Sequence, residues 1–326
     1  MKQQSFETER EQAWRGFAEQ LAQVRQGYRL PPGQDTAEFV AEYRRLARDL
    51  SVARARGYSR RLVGYLNDLV VAGHNVVYAY RAGFGRSALL FLRAGFPQQV
   101  RRAWPYMLVA TVLFVVPLFG MIFTIFAAPE WVYSVMPAEQ ASSLEAMYDP
   151  NARHLGRERQ SDSDFAMFGF YIMNNISITF QLFASGLVFG LGSIFYVVVN
   201  GVFIGAATGH LLSIGYHSTF LPFVVGHGSF ELTALVIAGG GGLMLGHALL
   251  APGLVGRLTA LRRVAPDAVQ IVIGAALMDL VAAFIEAFWS SSSVLPAGVK
   301  YSVGAVLWGL VLGYLVYAGR GVDTGE

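Results

Sequence analysis

The chain has 326 residues, 54% hydrophobic and only 14% charged, where an ordinary soluble domain carries about 25% charged residues. Residues 1–103 hold 17 of the 25 Lys and Arg but 9 of the 22 Asp and Glu, a balance of +8, while most of 104–319 is long apolar runs. That segregation points to lipid exposure, and the absence of cysteine excludes disulfides, thiolate metal centres and a cysteine nucleophile.

Residues 5–26 read as an amphipathic helix with Phe6, Trp14, Phe17, Leu21 and Val24 near one face. Pro31, Pro32 and Gly33 break it, and Asp35 with Glu38 three residues on has the form of a capping box. The next helix turns Phe39, Tyr43, Leu46 and Leu50 inward. Ser59 is placed to cap a third, running to about Tyr80. A basic patch of Arg44, Arg45, Arg48, Arg54, Arg56, Arg60 and Arg61 covers this small bundle. Beside a bilayer such a patch is expected to meet anionic lipid headgroups. No zinc-finger spacing or aromatic-basic RNA motif is present, so no nucleic-acid partner is expected.

Phe96-Pro97 opens a short helix ending in Arg101 and Arg102. Six apolar stretches follow, at 104–127, 165–188, 190–214, 222–248, 267–289 and 299–318, each near the roughly 20 residues a bilayer requires. The first apolar run starts only near Trp104 and no signal peptide precedes it, so 1–103 is expected to be a cytoplasmic helical domain. The bundle then spans 104–319, with 320–326 as a cytoplasmic tail. Arginine placement orients it. Arg101 and Arg102 precede the first span, Arg257, Arg262 and Arg263 lie in the 249–266 connection, and Arg320 follows the last span. Segment 128–164, with seven acids against three arginines, is expected outside. Fold class is therefore all-α: a polytopic membrane protein of about six transmembrane helices behind an N-terminal cytoplasmic helical domain.

Glycines recur at four-residue spacing, as Gly201, Gly205 and Gly209 and in the pairs Gly186/Gly190, Gly242/Gly246 and Gly309/Gly313. Such faces let helix backbones touch. They serve packing within one chain or between chains, so a homo-oligomer stays open.

The polar residues inside the spans say more. Asn174 and Asn175 fall near the middle of the second span, Asn200 in the third, His227 and Glu231 in the fourth, Asp279 and Glu286 in the fifth. Ionisable groups at such depth are costly and face a partner or water. At about 1.5 Å per residue His227 lies roughly 7 Å and Glu231 roughly 13 Å below the outer entrance near Pro222. Glu286 arrives at a compatible depth from the opposite direction. The three are expected to meet in the outer half, with Asn175 and Asn200 below them. The plain alternative is that these groups only hydrogen-bond helix to helix. No metal or cofactor is assigned: His-Gly-x-x-Glu lacks the second histidine of the His-Glu-x-x-His motif, and neither a Gly-x-Ser-x-Gly elbow nor a Walker loop occurs.

Phe-Pro-x-x-Val-Arg at 96–101, Asn174-Asn175, Asn200-Gly201 with Gly205, His-Gly-x-x-Glu at 227–231 and Glu286 in the fifth span also carry a resemblance. So does Tyr65-Leu66-Asn67-Asp68-Leu69 ahead of His74. On these pieces the chain resembles the stage II sporulation protein M family of bacterial polytopic membrane proteins. The resemblance implies a bacterial inner-membrane location and a scaffolding role, since the founding members hold cell-wall-degrading enzymes in place during engulfment. The leading expectation is thus a non-enzymatic membrane scaffold with protein partners in the cell envelope. A transporter or channel using the outer-half carboxylates is the alternative, and an intramembrane metal-dependent hydrolase a remote third.

Overall fold

The computed structural model describes residues 3–27, 36–151, 164–292 and 295–321, all helix and connecting turn. The expected break at Pro31 to Gly33, the Asp35 cap, His154 and Glu326 fall outside the described residues. The chain forms two compact units, Met1–Leu90 and Phe91–Glu326.

The first unit contains α1 (Gln3–Gly27), α2 (Thr36–Ala55) and α3 (Arg60–Leu90), which runs past the expected Tyr80. Phe6, Trp14, Phe17 and Leu21 recur at helical spacing on α1 and close over Phe39, Leu46 and Leu50 of α2 and Leu62 and Leu66 of α3. The Trp14 indole N–H donates to Asp49 Oδ2 at 3.0 Å, which satisfies a buried carboxylate at the centre of this core. Ser59 caps α3 by accepting from the Leu62 N–H at 3.3 Å, and Gln3 brackets it through both its amide N and O. All seven arginines of the basic patch are exposed.

In the second unit the short helix α4 (Phe96–Arg102) packs Phe96, Val100 and the following Ala103 into the membrane bundle's core. The division between units consequently falls at Leu90/Phe91, ahead of the expected 103. Arg101 donates to the carbonyls of Leu315 and Ala318, both at 2.7 Å, and Gln98 to that of Gly319. Leu315 is one of the carbonyls that the end of the helix Ala297–Tyr317 leaves without intrahelical partners, and Ala318 and Gly319 follow directly on it.

Among the described residues, five helices are long and apolar enough to cross a membrane: α5 (Trp104–Ala127), α9 (Leu191–Ser213), α10 (His217–Leu250), α11 (Arg257–Ile285, continued by a π-turn Glu286–Ser290) and α12 (Ala297–Tyr317). The sixth expected span is α8 (Asp164–Ala184), 21 residues long. It packs against α10 and α11, and its Asn174, Asn175, Ser177, Thr179 and Gln181 make it less apolar than the rest. Between α5 and α8 lie α6 (Val132–Val135) and α7 (Ala138–Tyr148), folded back onto the ends of α9 and α10.

Glycine decides how closely the helices approach. A Cβ on Gly201 would lie 2.5 Å from the Phe114 carbonyl oxygen, and one on Gly209 3.1 Å from Ile122 Cα. One on Gly205 would collide with the Leu118 carbonyl. The whole ladder faces α5, so these glycines serve packing within the chain. Gly186 and Gly190 likewise meet Gly242 and Gly246 of α10, backbone to backbone. The α8–α9 link needs left-handed backbone at Phe189 (φ 52°) and Gly190 (φ 81°). Gly309 and Gly313 have open space around them.

Candidate functional site: a polar centre in the bundle

His227 and Glu231 are one turn apart on α10 and project from the same face. Glu286 opens the π-turn that ends α11. A ligand-capable atom of each lies within 4.8 Å of the other two. His227 is 5% exposed, while the Glu231 side chain keeps 29% exposure. The His227 Nε2 to Glu231 Oε2 distance is 3.8 Å, longer than a hydrogen bond.

The π-turn explains the convergence. π-turns are rare and are frequent at functional sites. This one presents Glu286 and Ser290 to α10, with Ser290 Oγ 3.0 Å from His227 Nδ1. Gly226 allows it, since a Cβ there would come within 2.8 Å of the Trp289 ring. Lys300, 3% exposed at the start of α12, donates from Nζ to the carbonyls of Ser290 at 2.7 Å and Ser292 at 2.8 Å. A buried lysine thereby closes the end of the turn. It reaches that far because Gly304, one turn on, lets α12 press against Val225 of α10.

A roof covers the centre. Tyr148 at the end of α7 stacks edgewise on Phe220 and Phe223, at 5.1 and 5.4 Å, and Phe223 meets His227 at 5.4 Å. Burial first, then the charge of Glu286 with smaller contributions from Tyr171 and Glu231, holds the Tyr148 phenol above the ordinary tyrosine range. Glu145, one turn earlier, lies 2.7 Å from His210 Nε2 of α9. Thr219 Oγ1 donates to the Tyr148 carbonyl at 2.5 Å. Sequence reading passed over Tyr148, Ser290, Lys300 and the Glu145–His210 pair. The signal it could have used is Tyr148 among the apolar residues of a segment too long for a simple connection.

The other polar residues are distributed differently. Asp279 is 1% exposed, lies beside Thr179 of α8 and near Glu231, and has no partner at Oδ2. Asn175, one turn from Thr179 on the same face of α8, is buried with no partner at Nδ2. Asn174 is exposed and donates to Asn175 Oδ1 at 3.1 Å. Asn200 donates to the Tyr196 carbonyl of its own helix at 2.8 Å. Asn174 and Asn200 therefore bond locally, whereas Asn175 and Asp279 extend the polar centre along the α8–α11 interface. Toward the α4 end the track stops at a buried apolar layer of Leu182, Leu235, Ala238, Ile271 and Ala275, each at most 5% exposed.

Compared with known proteins, residues 4–79 match the model of a domain of unknown function (DUF8413). No curated protein and no solved structure matches the chain. Residues 109–291, more than half the chain and including all seven intramembrane polar residues named above, match the model described as Stage II sporulation protein M. With Asn174-Asn175, Asn200-Gly201, His227-Gly228 and Glu231 inside that match, this polytopic helical membrane protein belongs to the stage II sporulation protein M family.

Proposed function

We propose that this protein is a scaffold of the bacterial inner membrane, holding cell-envelope partners around a rigid bundle. In this arrangement α6 and α7 face outward and both termini are cytoplasmic. The basic helical unit lies against anionic lipid through Arg44, Arg45, Arg48, Arg54, Arg56, Arg60 and Arg61, each worth about 1 kcal/mol near such a surface. The observation that carries the reading is the closed apolar layer beneath the polar centre. Among the described residues no polar track crosses from the α7 end to the α4 end, and backbone-to-backbone glycine contacts leave the helices little room to rock. A fixed platform fits that packing better than a conduit. The docked α7 and the separate N-terminal unit offer contact surfaces at either side of the membrane.

Crosslinking in native membranes followed by purification tests the idea. A stable, stoichiometric envelope protein recovered with the chain supports the scaffold. Transport is the second reading, favoured by one observation, the unpartnered Asp279 oxygen beside Glu231. Ion or solute flux in proteoliposomes that disappears in Glu231→Gln would replace the scaffold with a carrier.

A further inference from the structure

The geometry points to a divalent transition-metal site, of the kind that takes zinc, formed by His227 Nε2 and one carboxylate oxygen each from Glu231 and Glu286. A ring nitrogen of His227 and one oxygen of each carboxylate already lie within 4.8 Å of one another. Zinc binds nitrogen and carboxylate oxygen at about 2.0–2.2 Å, so tetrahedral ligand atoms stand about 3.4 Å apart. The 3.8 Å between His227 Nε2 and Glu231 Oε2 is too long for a hydrogen bond and close to that edge. Small side-chain movements would complete the shell.

The surroundings have the features of a metal site. Metal-binding imidazoles are held through the ring nitrogen that does not bind the metal. His227 Nδ1 is engaged by Ser290 Oγ at 3.0 Å, which leaves Nε2 toward Glu231, 3.8 Å from its Oε2. Ser290 is itself fully buried, and its carbonyl is fixed by Lys300. Asp279, 1% exposed and with Oδ2 unpartnered, lies next to Glu231 and offers a further carboxylate oxygen beside the ligands. The partial exposure of Glu231 supplies an entry path for the ion. One imidazole with two carboxylates suits zinc and its neighbours, whereas magnesium and calcium prefer all-oxygen shells. A bound ion would tie α10 to the π-turn of α11, and its fourth position lies under the roof made by Tyr148. The site would serve a scaffold and a carrier equally, so it stands apart from the choice between them.

The test uses the full chain, purified in detergent, stripped with chelator and re-equilibrated with zinc alone. Magnesium, calcium and sodium are run in parallel. Metal is counted after desalting, and the thermal unfolding midpoint is recorded. One zinc per chain with a raised midpoint is expected, and X-ray absorption of the wild-type protein should show nitrogen and oxygen ligands, including imidazole, at about 2.0–2.1 Å. Loss of the outer contact in Ser290→Ala should weaken zinc binding about 10–100-fold, and Glu231→Gln or Glu286→Gln should weaken it more. Asn200→Ala should leave it unchanged. Absence of retained zinc in the wild-type protein, an absorption spectrum without imidazole, stabilisation by magnesium or sodium in zinc's place, or undiminished binding in both glutamine variants would each overturn the site. The wild-type measurements decide the matter even where a variant fails to fold.

Discussion

Replacing glycine by alanine should have opposite consequences on two faces of this bundle. At Gly205 the added methyl would collide with the Leu118 carbonyl, and at Gly201 it would lie 2.5 Å from that of Phe114. Both obstacles are backbone atoms, which no rotamer change can remove, so α5 and α9 must separate by roughly 1 Å to restore ordinary contact. Overpacking of this kind costs about 1–3 kcal/mol, offset in part by the 0.5–1 kcal/mol or so that alanine gains over glycine inside a helix. At Gly309 nothing lies within 4 Å, so only the favourable part remains. Because the obstacle at Gly205 is rigid backbone, its overpacking cost falls toward the upper end, so Gly205→Ala should destabilise by about 1–2.5 kcal/mol, and Gly309→Ala should stabilise by about 0.5–1 kcal/mol. Reversible unfolding in mixed dodecyl maltoside and SDS micelles, followed by tryptophan fluorescence, measures both. If Gly205→Ala proves neutral or stabilising, α5 and α9 do not meet on these glycines and the packing argument is wrong.

In the cysteine-free chain, Ser142→Cys should react with an impermeant thiol reagent in intact cells and Ser51→Cys should not, and the reverse pattern would invert the bundle. Residues 1–90, which carry their own core, should bind anionic liposomes, lose them with added salt and ignore neutral ones; equal binding to both would remove the lipid role of the arginines. Trp14→Phe leaves Asp49 buried without its indole donor and should cost the N-terminal unit about 1–3 kcal/mol in urea melts. Glu145→Ala takes the partner from His210 and should make α7 the first site cut by added protease, while unchanged cleavage would show that Tyr148 alone holds the segment down.

How far the sequence reaches depends on whether spacing carries the information. Helical periodicity was enough to find the α1 to α3 core, because Phe6, Trp14, Phe17 and Leu21 declare their face. Depth along antiparallel helices was enough to set His227, Glu231 and Glu286 at one level. What spacing could not supply was rotation. Asn174 and Asn175 are adjacent and equally deep, yet one is exposed and the other buried. Nor does a linear pattern reveal a π-turn, so the approach of Ser290 to His227 and the reach of Lys300 were out of sight. α8 also shows the limit of hydropathy. A helix that buries its polar face against α10 and α11 has less reason to be apolar throughout, and so it reads weakly beside its neighbours.

The clasp between α4 and α12 has a consequence for how the protein is made. Arg101 and its acceptor Leu315 are separated by 214 positions, so one jaw of the clasp is synthesised long before the other exists. At about 5–20 residues per second the guanidinium waits roughly 10–40 s for its carbonyl. During that interval the α4 end of the bundle lacks its α12 acceptor. The contact that holds α4 against α12 is therefore a late one, made only after α12 itself has been synthesised.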